Sequence, residues 1–338
     1  MPVPLGLVRF WTTLLHSNKD CAGQSFGSIS HGHYTEGIVM TPPDKGLSRR
    51  QMLQTSAMSL AALYLSRASG LVNAHSANTT ARRNAMTQNT ATDKPTVVLV
   101  HGAFAESASW NDVVSTLLGA GYPAVALANP LRGVKYDSDY LAGFLKTVQG
   151  SVVLVGHSYG GAVITAAVSD ASKVKALVYV DAFAPEQGET PGDLTARFPG
   201  STLVPTLAPP IPLGDGTNDL YIKQTDYRAQ FCADVPEAQA AQMAVTQRPI
   251  VDRAFTEKAG PNPAWKAIPS WFIFGELDKN IPPAAHRFMA GRAKARETVE
   301  VKGASHVAGV SHPGTVAAMI LRAAQTVTAP TMAAQTTG

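Results

Sequence analysis

Cysteine is almost missing from this chain: Cys21 and Cys232 are the only two among 338 residues. That excludes a disulfide-stapled scaffold and leaves stability to a packed core. Long apolar runs are missing too. The stretch over residues 55–66 is low in charge but too short to span a bilayer. No internal repeat and no heptad run is present, so neither a solenoid nor a coiled coil is in question. A surplus of one charge is also lacking where it would matter. The formal balance of the whole chain is +4, but residues 1–74 hold six of its 28 basic and three of its 24 acidic groups, so the remainder stands near +1. The basic pI therefore points to neither nucleic acid nor an anionic membrane.

The missing surplus matters because the first 74 residues read as a segment to be removed. Ser48-Arg49-Arg50-Gln51-Met52-Leu53-Gln54 resembles a twin-arginine export signal, with residues 55–66 as its apolar region and Val72-Asn73-Ala74 as small residues suited to signal peptidase. We expect a signal peptide over 40–74 and export to the periplasm or beyond. Residues 1–39 carry Gly, His and Ser without periodicity and precede an ordinary signal start at Met40, so they are expected to be a mis-assigned extension. Residues 75–94 have almost no large apolar side chain and are expected to form a mobile leader; 327–338 make a polar tail. Cys232 is then alone in the mature chain.

What is there, with 45% hydrophobic residues, can fill a full α/β core over 95–326. Its centre is Ser-Val-Val-Leu-Val-Gly-His-Ser-Tyr-Gly-Gly, residues 151–161. Four β-branched or branched apolar residues, 152–155, make a buried strand; an alanine-rich apolar helix follows from 162. Between them Gly156-His157-Ser158-Tyr159-Gly160 fits Gly-x-Ser-x-Gly. A strand turning sharply into a helix strains its corner residue and needs glycines where a Cβ would clash, so Ser158 is lifted clear of the sheet. A serine hydroxyl becomes a nucleophile only when a base takes its proton and N–H donors receive the resulting charge.

Around this corner the sequence repeats a βα rhythm. Strands are expected over 96–100, 122–127, 174–180, 271–275 and 298–301, and helices over 107–118, 139–148, 282–290 and 313–324. Such a succession makes a parallel sheet with right-handed crossovers. The rhythm breaks between 185 and 269, which is rich in Pro and Gly and carries a helix-favouring stretch at 237–247. We expect this insertion, about 185–265, to lie as a cap over the carboxyl ends of the strands, where open sheets bind ligands.

A base and an orienting acid must join Ser158 from loops after later strands. His306 follows the last strand and Asp278 the one before it, in the order Ser, Asp, His. Asp181, at the end of another strand, and Glu276, two residues from Asp278, compete for the acid role. His312 precedes Pro313 and is expected to cap the final helix, and His157 to pack beside the turn. The oxyanion donors are expected to be the backbone N–H groups of Ala103 and Tyr159. Phe104, Phe183, Leu203 and Leu207 suggest a hydrophobic pocket, although the same residues could pack the cap on the core.

With these motifs in place, residues 96–324 resemble the α/β-hydrolase fold enzymes. Val100-His101-Gly102-Ala103-Phe104 with Trp110 downstream is similar to the branch of plant methyl esterases, hydroxynitrile lyases and small bacterial esterases, pyrethroid-type ester hydrolases included. The resemblance implies a mostly parallel six-stranded sheet flanked by helices, with the cap inserted after the fourth of the six strands. The lyases of this branch place a lysine after the catalytic histidine and a threonine beside the first oxyanion strand; here Val307 and Gly102 stand there, which favours an ester hydrolase. The expectation is thus a serine hydrolase of small-molecule carboxylic esters, with no metal, no organic cofactor and no stable membrane insertion. A lyase on the same three residues and a silent ligand-binding homologue are the alternatives. Nothing in the sequence fixes the oligomeric state.

Overall fold

The computed structural model describes residues 94–168 and 172–328. The expected extension, export signal and leader up to residue 93 lie outside the described residues, as does the tail beyond 328. The first half alternates as the apolar runs dictate: β1 (Thr96–Val100), α1 (Asn111–Gly119), β2 (Ala124–Leu127), α2 (Val134–Thr147), β3 (Val152–His157), α3 (Tyr159–Ala167) and β4 (Val174–Val180). An insertion follows, with α4 (Pro191–Ala196), β5 (Ile211–Pro212), β6 (Asn218–Leu220), α5 (Gln224–Phe231), α6 (Glu237–Thr246) and β7 (Ile250–Val251). The chain then returns to β8 (Ser270–Gly275), α7 (Pro283–Arg292), β9 (Glu297–Val301), α8 (Ala308–Ser311) and α9 (Pro313–Thr328).

Six strands in the order β2-β1-β3-β4-β8-β9 form one sheet, parallel throughout, with the insertion entering after β4 as a cap that has its own antiparallel sheet β5-β6-β7. The period of two sorts side chains between faces. Val97, Leu99, Val153, Val155, Val178, Val180 and Ile273 face Leu117 of α1 and Val316 and Ile320 of α9 in one buried cluster. On the other face Tyr179 stacks on Phe272 at 4.5 Å and its hydroxyl meets Thr165 of α3 at 2.8 Å. Burial on both faces explains why the central strands read as unbroken apolar runs. Each such Val, Leu or Ile contributes about 1.5–3 kcal/mol over its exposed state.

Boundaries differ from the sequence reading where local chemistry intervenes. Helix α2 begins five residues earlier than expected, at Val134, because Gly133 turns the chain at φ 118° and Asp137 accepts the Arg132 N–H at 3.0 Å. Strand β2 starts only at Ala124, after Pro123, which has no N–H for a ladder. Helix α9 runs on to Thr328. Among the described residues no helix is long and apolar enough to cross a membrane.

Candidate active site

Ser158 sits between β3 and α3 with φ 53° and ψ −123°, a left-handed conformation that costs a non-glycine residue about 1–3 kcal/mol. Neighbouring chain holds it there. Its N–H donates to Val180 O at 3.1 Å, and its carbonyl accepts from Gly161 N at 3.0 Å and Phe183 N at 3.1 Å. The corner needs a glycine on its far side, since a Cβ at Gly160 would run into the Val100 carbonyl oxygen. A Cβ at Gly102 would stand 2.6 Å from the Ser158 Cβ and 2.9 Å from His157 O, so the loop after β1 is pressed directly against the corner.

His306, in the loop between β9 and α8, brings Nε2 to 2.8 Å from Ser158 Oγ and Nδ1 to 2.7 Å from Asp278 Oδ2. All three side chains are buried. Asp278 also accepts the N–H groups of Asn280 (2.8 Å) and Ile281 (2.9 Å) on Oδ1. Burial alone would push its carboxyl up, but the His306 charge and the bonds from His286 and His306 overcome this and hold it well below the usual carboxylate range. An ionised carboxylate has no proton to give, so His306 carries its hydrogen on Nδ1 and presents a bare Nε2 to the serine hydroxyl.

The competitors are engaged elsewhere. Asp181 accepts Gly275 N at 2.7 Å and Ala308 N at 2.9 Å, bracing the ends of β8 and α8. Burial, then the nearby Asp278 charge, raises it to about 8, so of the two carboxyls Asp278 is the one that ionises. Glu276 accepts Gly303 N at the surface. The His312 carbonyl accepts the first bonds of α9, from Thr315 and Val316, but its side chain does not cap that helix as expected: Nδ1 lies 2.9 Å from Ser311 Oγ and 3.6 Å from Asp234. His157 donates from Nε2 to the His306 carbonyl at 2.9 Å; burial and then the His306 charge pull it down to about 3.

His101 fixes the loop that carries Ala103. Its Nε2 accepts the Asn129 N–H at 3.0 Å, so Nδ1 bears the hydrogen given to Gly102 O at 2.9 Å; burial drops this imidazole to about 4. Phe104, at φ 58°, has its N–H bound to Arg248 O at 3.1 Å and its carbonyl bound by the Tyr227 hydroxyl at 2.7 Å. Tyr159 opens α3 beside the serine, and its hydroxyl donates to buried Asp137 at 2.7 Å. Arg132, whose N–H the same carboxylate holds, pairs with Asp219 of the cap at 2.7 Å.

Of the expected pocket residues, Phe104 lines a cavity of about 450 Å³ together with Tyr227, Met243, Val245 and Val310. Phe183 borders the corner through its backbone. Leu203 and Leu207 flank a single turn of 3₁₀ helix in the cap, where Leu207 bridges Ile222. Sequence reasoning passed over Phe231, whose ring lies 5.2 Å from that of His306, and over His286, which bonds to Asp278. The one signal for His286 is its place eight residues after Asp278, on a helix of otherwise ordinary pattern. Among the described residues no group of three or more His, Cys, Asp or Glu side chains is arranged to hold a metal ion.

Comparison with known proteins identifies the family and the fold. A family model described as the alpha/beta hydrolase family matches residues 97–319. A carbendazim hydrolyzing esterase of a Nocardioides species is 34% identical over 126 residues, which is 30% of this chain and 52% of the relative, so that match spans about half its length. A pyrethroid hydrolase of Sphingobium wenxiniae is 28% identical, over 66% of this chain and 85% of the relative. Among solved structures, polyneuridine aldehyde esterase superposes with a TM-score of 0.59 at 18% identity, covering 68% of this chain and 98% of that one, a likeness of fold.

Proposed function

This chain belongs to the alpha/beta hydrolase family, and from that premise we propose that it hydrolyses carboxylic esters of small molecules through an acyl-enzyme on Ser158. The observation that supports this most is the continuous hydrogen-bond chain from Ser158 Oγ through His306 to Asp278, at 2.8 and 2.7 Å. In the proposed reaction His306 Nε2 takes the hydroxyl proton as Oγ bonds to the ester carbonyl carbon. The oxyanion is received by the backbone N–H groups of Ala103 and Tyr159. Collapse breaks the bond to the alcohol, which leaves with the proton from His306. Water, deprotonated by the same imidazole, then attacks the acyl carbon; collapse breaks the bond to Oγ, which takes its proton back from His306, and the carboxylic acid leaves. Asp278 holds the Nδ1–H tautomer and balances the imidazolium formed in each half.

Relatives named a carbendazim hydrolyzing esterase and a pyrethroid hydrolase support the reading, as do Val307 and Gly102 at the positions where the lyases of this branch carry lysine and threonine. Phe104 and Phe183, with Leu203 and Leu207 from the cap, are proposed to favour a hydrophobic acyl or alcohol group. Export through the twin-arginine segment belongs to the same proposal. The test is Ser158→Ala on a p-nitrophenyl ester, expected to lower turnover by roughly a millionfold. Undiminished turnover ends the proposal. Ester turnover without a covalent acyl or phosphonyl adduct on Ser158 would transfer the chemistry to another group, and cyanohydrin cleavage without ester turnover would favour the lyase.

A further inference from the structure

The Ser158 mechanism uses one imidazole on Asp278, yet the structure gives that carboxylate two. His286, buried on α7, brings Nε2 to 3.0 Å from Oδ2, the same oxygen that lies 2.7 Å from His306 Nδ1. Because Asp278 is ionised, His286 also donates, and so carries its hydrogen on Nε2. Its ring is fixed by stacking on Phe274, with centroids 4.8 Å apart and planes 15° apart, and by the turn in which its backbone N–H donates to Pro282 O. The other charged or titratable groups around this pair are Asp181 from the end of β4 and His157 from the end of β3, the first beside Asp278 and His286 and the second against His306.

We propose that His286 is a positioning residue of the hydrolase reading above, on which this inference rests: by sharing Oδ2 it fixes the carboxylate in the plane of His306 and limits the negative charge that His306 senses. The two backbone donors on Oδ1 stop the group from sliding, but Oδ2 could still turn about the Cβ–Cγ bond when His306 becomes an imidazolium. A second N–H on Oδ2 opposes that turn. It also draws charge from the oxygen that stabilises the imidazolium, so the base releases its proton at a lower pH than it would facing an unshared carboxylate.

The test follows the reach of the side chain. The glutamine amide nitrogen stands about as far from Cβ as imidazole Nε2 does, whereas asparagine stops short, so His286→Gln keeps the donor and His286→Asn and His286→Leu remove it. Without the donor the acid limb of the pH profile of kcat/KM is expected to move up by about one pH unit, a tenfold change in proton affinity, while His286→Gln keeps the wild-type limb. A side chain that only fills space would lower kcat or thermal stability and leave the limb in place. Superimposable limbs in all folded variants therefore overturn the proposal. Should Leu not fold, the Gln and Asn pair alone decides it. A second readout needs no substrate: ¹⁵N spectra of the imidazoles should show His286 protonated on Nε2 near neutral pH, with that signal displaced by Asp278→Asn. An Nδ1–H tautomer there overturns the proposal even in an active enzyme. An enzyme inert toward esters with the Nε2–H tautomer present would remove the ester reading and leave the Asp278–His286 bond standing.

Discussion

Adding one methyl group at Gly102 tests the assembled corner more sharply than deleting a side chain that reacts. The new Cβ would stand 2.6 Å from Ser158 Cβ and 2.9 Å from His157 O, whereas carbon atoms pack at about 3.5–4.0 Å. Roughly 1 Å must be found by moving the nucleophile, the loop carrying Ala103, or both, and a misplacement of that size costs about a hundredfold in rate. Overpacking on this scale destabilises by about 1–3 kcal/mol. The loop cannot simply swing away, since His101 pins it to Asn129 and Phe104 is bonded at both N–H and carbonyl. The control is the same substitution at Gly143, an exposed position within α2 where the added Cβ meets nothing within 4 Å beyond its chain neighbours and its own helix backbone. There alanine should raise stability by about 0.5–1 kcal/mol, through helix propensity, and leave the rate alone. Steady-state kinetics on a p-nitrophenyl ester with thermal unfolding of both variants decides the matter. Gly102→Ala within threefold of wild-type kcat/KM would refute the reasoning that this contact holds the nucleophile in place.

Acid should unfold the protein in a defined window. Burial holds His101 near 4 and His157 near 3, against about 6.5 for a free imidazole. Below pH 6.5 the unfolded chain therefore takes up protons that these two imidazoles refuse in the folded chain, so their contribution is full above that pH and is lost as pH falls toward 4 and then 3; Asp181, raised to about 8 in the folded chain, offsets part of the loss by holding a proton that an unfolded carboxyl gives up above about 3.9. The loss amounts to at most roughly 3 kcal/mol from His101 and 5 from His157. Urea midpoints should drop across that range, less steeply in His157→Gln; a flat midpoint from 6.5 to 4 would contradict it. For the address, Arg49→Lys with Arg50→Lys should abolish export in cell fractionation, and an unchanged periplasmic share would remove the twin-arginine proposal.

The architecture was legible because β1, β3, β4 and β8 are buried on both faces, and a strand with no solvent side writes itself as an unbroken apolar run. Ser158 and His306 were legible for a related reason: a strained corner demands glycines at fixed offsets, and the loop after a final strand offers few polar residues. Asp278 was harder, because Asp181 ends a strand just as conspicuously and only its backbone partners, Gly275 and Ala308, reveal its bracing role. The cap was read only as an insertion with one helix. Strands β5 and β7 are two residues long and β6 three, too short for any alternation to register. His286 left only its spacing from Asp278, because one polar residue on a buried helical face looks the same whether it meets a carboxylate or a void.

The bond from Tyr159 to Asp137 carries a mechanical consequence. The carboxylate that anchors the first residue after the nucleophile also grips the backbone of Arg132, and the guanidinium of Arg132 is clasped to Asp219 on β6. Roof and floor are thus joined by a continuous strut through Asp137, beside the links that Tyr227 and Arg248 of the cap make to Phe104. Whatever levers that part of the roof upward pulls on the same carboxylate that steadies the residue after the serine.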